Sequence, residues 1–124
     1  MRALLSIKPH FVEKIFSGEK VFEFRRTTFR SCNVKLVVVY ATLPVGKVVG
    51  EFSVGEIIEG TPGAIWKQTR HSAGIAKSEY DSYFHDSTVG YAIRIARPRQ
   101  YRYARALTEV VPSGRAPQSF CYLD

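Results

Sequence analysis

The spacing of apolar positions changes repeatedly along the chain, and each change marks an element. Residues 3–7 are a short apolar run and read as a buried strand. Pro9 suits the first turn of a helix, where its missing N–H costs nothing. Phe11, Val12, Ile15 and Phe16 then recur at helical spacing as one apolar stripe, and Gly18 stands where a helix ends. Residues 21–26 alternate and are rich in aromatics, which predicts a strand. Residues 34–41 contain Leu36, Val37, Val38, Val39 and Tyr40 in succession, the pattern of a central strand buried on both faces. After a turn at 43–46, residues 47–59 read as a long strand bent at Gly50 and Gly55.

The second half is broken more finely. Thr61 and Pro62 form a helix start, with a short helix running through Trp66 and Gln68. A loop at 72–74 precedes another short helix carrying Tyr80, Tyr83 and Phe84 on one face. Residues 89–96 and 99–111 read as two strands and 119–123 as a last short one. The inventory is about six or seven strands and about three short helices. That predicts an α+β fold, one domain over residues 1–124, built on a partly closed β-barrel.

Composition narrows the class. Of 124 residues, 45% are hydrophobic and 23% charged, the balance of a globular domain rather than a disordered chain. The formal charge of +7 favours a polyanionic partner, nucleic acid first. Cys32 and Cys121 are far apart with no C-x-x-C, which suggests a reducing, cytoplasmic setting. No apolar run reaches 18 residues, and the N-terminal one is too short for a signal peptide, so no membrane association is expected. His10, His71 and His85 lack metal-ligand spacing, so neither metal nor cofactor is expected.

The most informative segment runs from Gly18 to Arg26. In an extended strand Val21, Glu23 and Arg25 share one face, and Phe22, Phe24 and Arg26 the other. With the aromatic face in the core, Glu23 and Arg25 look into a cleft or solvent, and Lys20 stands ready to curl over them. A lysine, a carboxylate and a guanidinium that converge suit a phosphate, a base edge or a polarised carbonyl. The plainer reading, which the pattern alone favours, is a solvated salt bridge on a strand face.

The spacing Gly18-x-Lys20-x-x-Glu23-x-Arg25 resembles the G-x-K-x-x-E-x-R signature of ASCH domains, which are PUA-like in fold. Leu5-Ser6-Ile7-Lys8-Pro9, Val38-Val39-Tyr40-Ala41-Thr42, Gly74-Ile75, Tyr83-Phe84, Gly90-Tyr91-Ala92-Ile93 and Pro117-Gln118-Ser119-Phe120 are similar to one branch of small prokaryotic members. The resemblance implies a barrel with a cleft lined by the signature and RNA or a modified nucleoside as partner. It places Lys8, Lys20, Glu23, Arg25, Arg26, Tyr40, Ser119 and Phe120 at that cleft, with Tyr40 or Phe120 stacking on a base. Some relatives are ribonucleases or N4-acetylcytidine amidohydrolases; were this chain such an enzyme, Lys20 and Glu23 would be catalytic. The amidohydrolases carry threonine at the position of Glu23 and use a further glutamate, and the stretch Arg70-His71-Ser72-Ala73-Gly74 has no carboxylate. Ala116 also replaces a family proline. ASCH-like domains beside transcription-associated modules imply a protein partner as a further possibility. The oligomeric state is left open.

A second constellation is the arginine-rich run Arg94, Arg97, Arg99, Arg102 and Arg105, interleaved with Tyr101 and Tyr103. Strand alternation puts Arg97, Arg99, Tyr101, Tyr103 and Arg105 on one face, although Pro98 interrupts the register. Guanidinium groups neutralise phosphates and tyrosines stack on bases, which makes the run a candidate nucleic-acid surface. The plainer alternative packs the tyrosines on the barrel and leaves the arginines in solvent. Ser119 lacks a G-x-S-x-G context and reads as a hydrogen-bond donor rather than a nucleophile.

Overall fold

The computed structural model describes residues 1–123. Six strands form one sheet: β1 (Arg2–Ile7), β2 (Phe22–Arg25), β3 (Leu36–Ala41), β4 (Lys47–Gly60), β5 (Gly90–Arg105) and β6 (Phe120–Tyr122). Their order across the sheet is β2-β5-β4-β3-β1-β6, with β1 and β3 parallel and the other pairs antiparallel. Three α-helices accompany it: α1 (Pro9–Ser17), α2 (Pro62–Thr69) and α3 (Lys77–Tyr83). The sheet curls into a half-barrel, the α+β architecture that the hydrophobic pattern predicts.

The helix boundaries follow local chemistry. Pro9 opens α1, and Gly18 closes it at φ 89°, a left-handed conformation that glycine adopts without strain. The Thr61 hydroxyl caps α2 by accepting the Ala64 N–H at 3.2 Å.

Strand β3 is buried on both faces, as its β-branched run requires. Val37, Val39 and Ala41 join Ala3, Leu5, Ile7, Phe52 and the α1 residues Val12 and Ile15 in one cluster. Val38 and Tyr40 join Leu4 and Val48 on the other face, under Leu107, Val110, Val111 and Leu123. The β3–β4 register shifts between Val39 and Tyr40, and the extra residue on β4 turns Val48 to the face opposite Phe52. A third cluster joins Phe22, Phe24 and Ala92 to Ile65, Tyr80 and Phe84 from the helices. At Gly50 a Cβ would fall 2.3 Å from the Phe16 ring and 2.6 Å from the Arg99 carbonyl, so glycine lets α1 rest on the sheet.

Two expectations are corrected. Residues 89–96 and 99–111 are not separate strands: β5 runs unbroken from Gly90 to Arg105 and absorbs Arg97 and Pro98 as an irregularity, with Arg97 at φ 47°. Beyond it, residues 106–111 leave the sheet through a 3-10 turn (Leu107–Glu109), and Leu107, Val110 and Val111 cover the apolar face instead of pairing.

Candidate ligand-binding cleft

Curling brings the two edges of the sheet together. β2 lies at one edge and β6 at the other, and the Arg25 guanidinium spans the seam between them. Its Nη2 donates to the Ser119 carbonyl and Oγ, both at 2.9 Å, and its Nη1 reaches the Ser6 carbonyl at 3.4 Å. Nη1 also meets Glu23 Oε2 at 3.0 Å. Arg25 and Glu23 are 9% and 6% exposed, so this pair is largely withdrawn from water. With its donors turned to four protein acceptors, Arg25 is a clasp rather than a free anion hook.

Beside the seam opens a cavity of about 760 Å³, within the usual range of small-molecule sites. Lys20 stands at its wall, only 2% exposed. Its Nζ donates to the Ala73 carbonyl at 3.0 Å and lies 5.0 Å and 4.7 Å from the centroids of Phe11 and Phe24. Burial pushes the Lys20 ammonium below its ordinary pKa, and the negative charge of Glu23 opposes that shift. Gly74, at φ 64°, makes this packing possible: a Cβ there would lie 2.4 Å from Lys20 Cβ and 2.8 Å from its Cα.

Of the residues expected at the cleft, Lys8, Lys20, Glu23, Arg25, Arg26 and Ser119 line the cavity. Tyr40 and Phe120 do not. Tyr40 is 7% exposed and packs with Leu4, Val38 and Val48 across the sheet, because alternation along β3 turns it to that side. The Phe120 ring packs edge-on against Phe29 at 5.1 Å and Tyr122 at 5.5 Å. Among the lining residues that the sequence reading did not place at the cleft are Phe11, Glu79 and Tyr83. Glu79 and Tyr83 are four apart on α3 and so share a helix face, a signal visible only once that face is known to meet the cleft. Glu79 approaches His10 Nε2 at 3.5 Å. Tyr83 accepts the Arg26 N–H at 3.2 Å while the Arg26 guanidinium lies 4.9 Å from its ring.

The arginine-rich run is divided. Arg94 lies 5.0 Å from the Phe22 ring and 3.4 Å from Glu56, away from the other members. The irregularity at Arg97 breaks the expected single face. Arg99 pairs with Glu51 at 3.1 Å, and the Tyr101 hydroxyl donates to the same carboxylate at 2.9 Å. Burial raises the Tyr101 phenol pKa, and the hydrogen bond to Glu51 adds to the shift. Tyr101 is thus fixed against the protein, whereas Tyr103 is 74% exposed.

Among the described residues no group of three His, Cys, Asp or Glu side chains could hold a metal ion, and no helix is long and apolar enough to cross a membrane.

Comparison with known proteins places this architecture. An ASCH domain-containing ribonuclease of Zymomonas mobilis is 28% identical over 98% of this chain and 83% of its own length. The crystal structure of ASCH from Zymomonas mobilis superposes with a TM-score of 0.89 at 27% identity, covering 99% of this chain and 87% of that one. A protein named large ribosomal subunit protein uL22 from Ureaplasma parvum is 31% identical over 97% of this chain, which spans only 38% of that protein. The ASCH domain model matches residues 5–99, the signature and cleft walls included but Ser119 and the end of β5 outside it. The chain belongs to the ASCH domain family.

Proposed function

We propose that the chain binds a nucleobase, within RNA or as a modified nucleoside, in the cleft beside the Arg25 clasp. The observation that carries this reading is the juxtaposition of Lys20 and Glu23, two buried groups of opposite charge that line one cavity without bonding each other. Withdrawing an ammonium from water opposes folding by several kcal/mol, roughly, so its retention beside a cavity favours a role in recognition. Arg25 occupies Glu23 Oε2, and no protein group among the described residues engages Oε1. That oxygen suits an exocyclic amino group, and the remaining Lys20 donors suit a base carbonyl. Arg26, backed by Tyr83, offers the planar surface for a base that Tyr40 and Phe120 were expected to give. The Zymomonas relative named a ribonuclease makes RNA the leading ligand.

Fluorescence anisotropy with single-stranded RNA over a range of salt tests the reading. Binding near the micromolar range that weakens steeply with salt is expected, with Glu23→Gln lowering affinity. Absent or salt-indifferent binding would sink it.

A hydrolytic reading uses the same groups, and the relative's name and the presence of Glu79 favour it. Glu23 would take a proton from water or a ribose hydroxyl while Lys20 stabilises the negative charge that develops. Glu79 brings to the cavity a second carboxylate, which the stretch around Arg70 lacks. Mass spectrometry after incubation with small RNAs and N4-acylated cytidines separates the readings. Strand cleavage or deacylation absent from Lys20→Ala makes the chain a hydrolase; equal conversion by both proteins removes Lys20 from the chemistry.

A further inference from the structure

The far end of β5 forms a second hollow, of about 400 Å³, lined by Arg99, Tyr101, Arg102, Tyr103, Arg105 and Glu109. A regular strand would point Arg99 and Arg105 to one side and Arg102 to the other. The pairing with β4 explains why all three meet here. Gly50 pairs with Gln100 and Val48 with Arg105, so a two-residue step on β4 spans a five-residue step on β5. The surplus bows residues 101–104 away from the ladder, and odd and even positions line one concavity.

The guanidinium groups are held in place by aromatic faces. Arg99 and Arg105 lie 5.3 Å and 4.1 Å from the Tyr101 ring centroid, and Arg102 lies 5.5 Å from that of Tyr103. Little negative charge answers them. Glu51 engages Arg99, and the Glu109 carboxylate accepts the Ala106 N–H at 2.9 Å. Among the described residues Arg102 and Arg105 have no acidic partner.

We infer that this hollow is a phosphate-binding site separate from the cleft, with Arg102 and Arg105 donating to the anion's oxygens and Arg99 adding charge at its edge. Guanidinium forks match phosphate oxygens in pairs, and stacked guanidiniums lose less freedom on binding than free ones. Tyr101 is held by Glu51 and serves as the backing of the site, not as a base platform. The exposed Tyr103 remains free to stack on a base next to the bound phosphate. Assigning the phosphate to RNA rests on the nucleic-acid reading above; the anion site itself does not.

The test uses inorganic pyrophosphate by calorimetry and labelled single-stranded RNA by anisotropy. It compares the wild type, the Arg102→Gln/Arg105→Gln double variant and Glu23→Gln. The double variant is expected to lose pyrophosphate affinity by about tenfold or more while Glu23→Gln keeps it. The salt slope for RNA should fall by about 1.4, from two phosphate contacts at about 0.7 each. Pyrophosphate binding lost without a change in RNA slope keeps the site and assigns it to small phosphate anions. A fall in slope assigns it to the RNA backbone. No difference between wild type and double variant with either probe overturns the site. Failure of the cleft reading shows separately, as unchanged RNA affinity in Glu23→Gln.

Discussion

The cleft and the arginine hollow are both rich in charge but treat it in opposite ways. In the cleft Lys20, Glu23 and Arg25 are nearly inaccessible, and each charge has a protein partner within hydrogen-bond reach. In the hollow the arginines lie near the surface, and two of the three make no ion pair among the described residues. Buried, compensated charges fix geometry at short range, because their interactions are strong and little screened. Exposed, uncompensated charges attract a polyanion from a distance and fade with salt. Under the proposed function, capturing a chain and then reading one unit of it would draw on both arrangements, which occupy different parts of one sheet.

The comparison is broken most severely at Arg25. Arg25→Ala leaves the Glu23 carboxylate buried without its guanidinium and removes the bonds to Ser6 and Ser119 across the seam. Removing one member of a buried pair destabilises by about 3–5 kcal/mol. Chemical denaturation should show a loss of that order, and a loss under about 1 kcal/mol would mean that the seam is not held by this clasp.

Lys20→Met acts in the opposite direction. Glu23 keeps Arg25, so no carboxylate is orphaned, and an apolar side chain of similar length replaces a desolvated ammonium. Relief of a desolvation that costs several kcal/mol, roughly, offsets the loss of the bond to the buried Ala73 carbonyl, about 1–3 kcal/mol, so a neutral to stabilising change is expected. The pH dependence identifies the cause. The folded-state pKa of Lys20 lies below 10.5, so the unfolded chain holds the proton more tightly. The penalty is full below the folded value and is relieved as pH rises toward 10.5. Wild-type stability should therefore gain on Lys20→Met over that window. Parallel curves for the two proteins would contradict the burial argument.

Gly74→Ala tests how the lysine is held. The new Cβ meets Lys20 Cβ and Cα at a residue with φ 64°, so both overpacking and backbone strain oppose it. A loss of about 1–3 kcal/mol is expected, with weaker ligand binding because Lys20 must shift. Gly63→Ala, where a Cβ meets nothing within 4 Å, is the control.

Much of this is legible in the amino-acid sequence alone. The strand at 36–41 was visible because β-branched residues in succession suit burial on both faces, and α1 because its stripe is framed by Pro9 and Gly18. The signature could be placed because alternation along β2 separates Phe22 and Phe24 from Glu23 and Arg25. Contact across the sheet was not legible. Phe120 follows Ser119 directly and Tyr40 pairs with Ser6 across the β1–β3 ladder, both next to cavity-lining residues, but their rings pack elsewhere. Glu79 enters the cavity only because α3 docks there. The end of β5 defeated period-two reasoning for a definite reason: its register is set by β4, and the surplus of residues against that partner is a property of the pairing, not of either segment alone.

The smallest expected effect on stability comes from the hollow, and its smallness is the point. Arg102 and Arg105 make no ion pair among the described residues, and their guanidiniums lie over rings near the surface. Their joint replacement by glutamine should therefore change unfolding free energy by no more than about 0.5 kcal/mol. Like charges close together even favour a slight gain. If the double variant instead lost as much stability as Gly74→Ala, the arginines would be part of the packing over the Leu4 and Val38 face. A neutral change in denaturation beside a large change in phosphate affinity would mark the opposite: positive charge held in place for a ligand, and of little use to the fold.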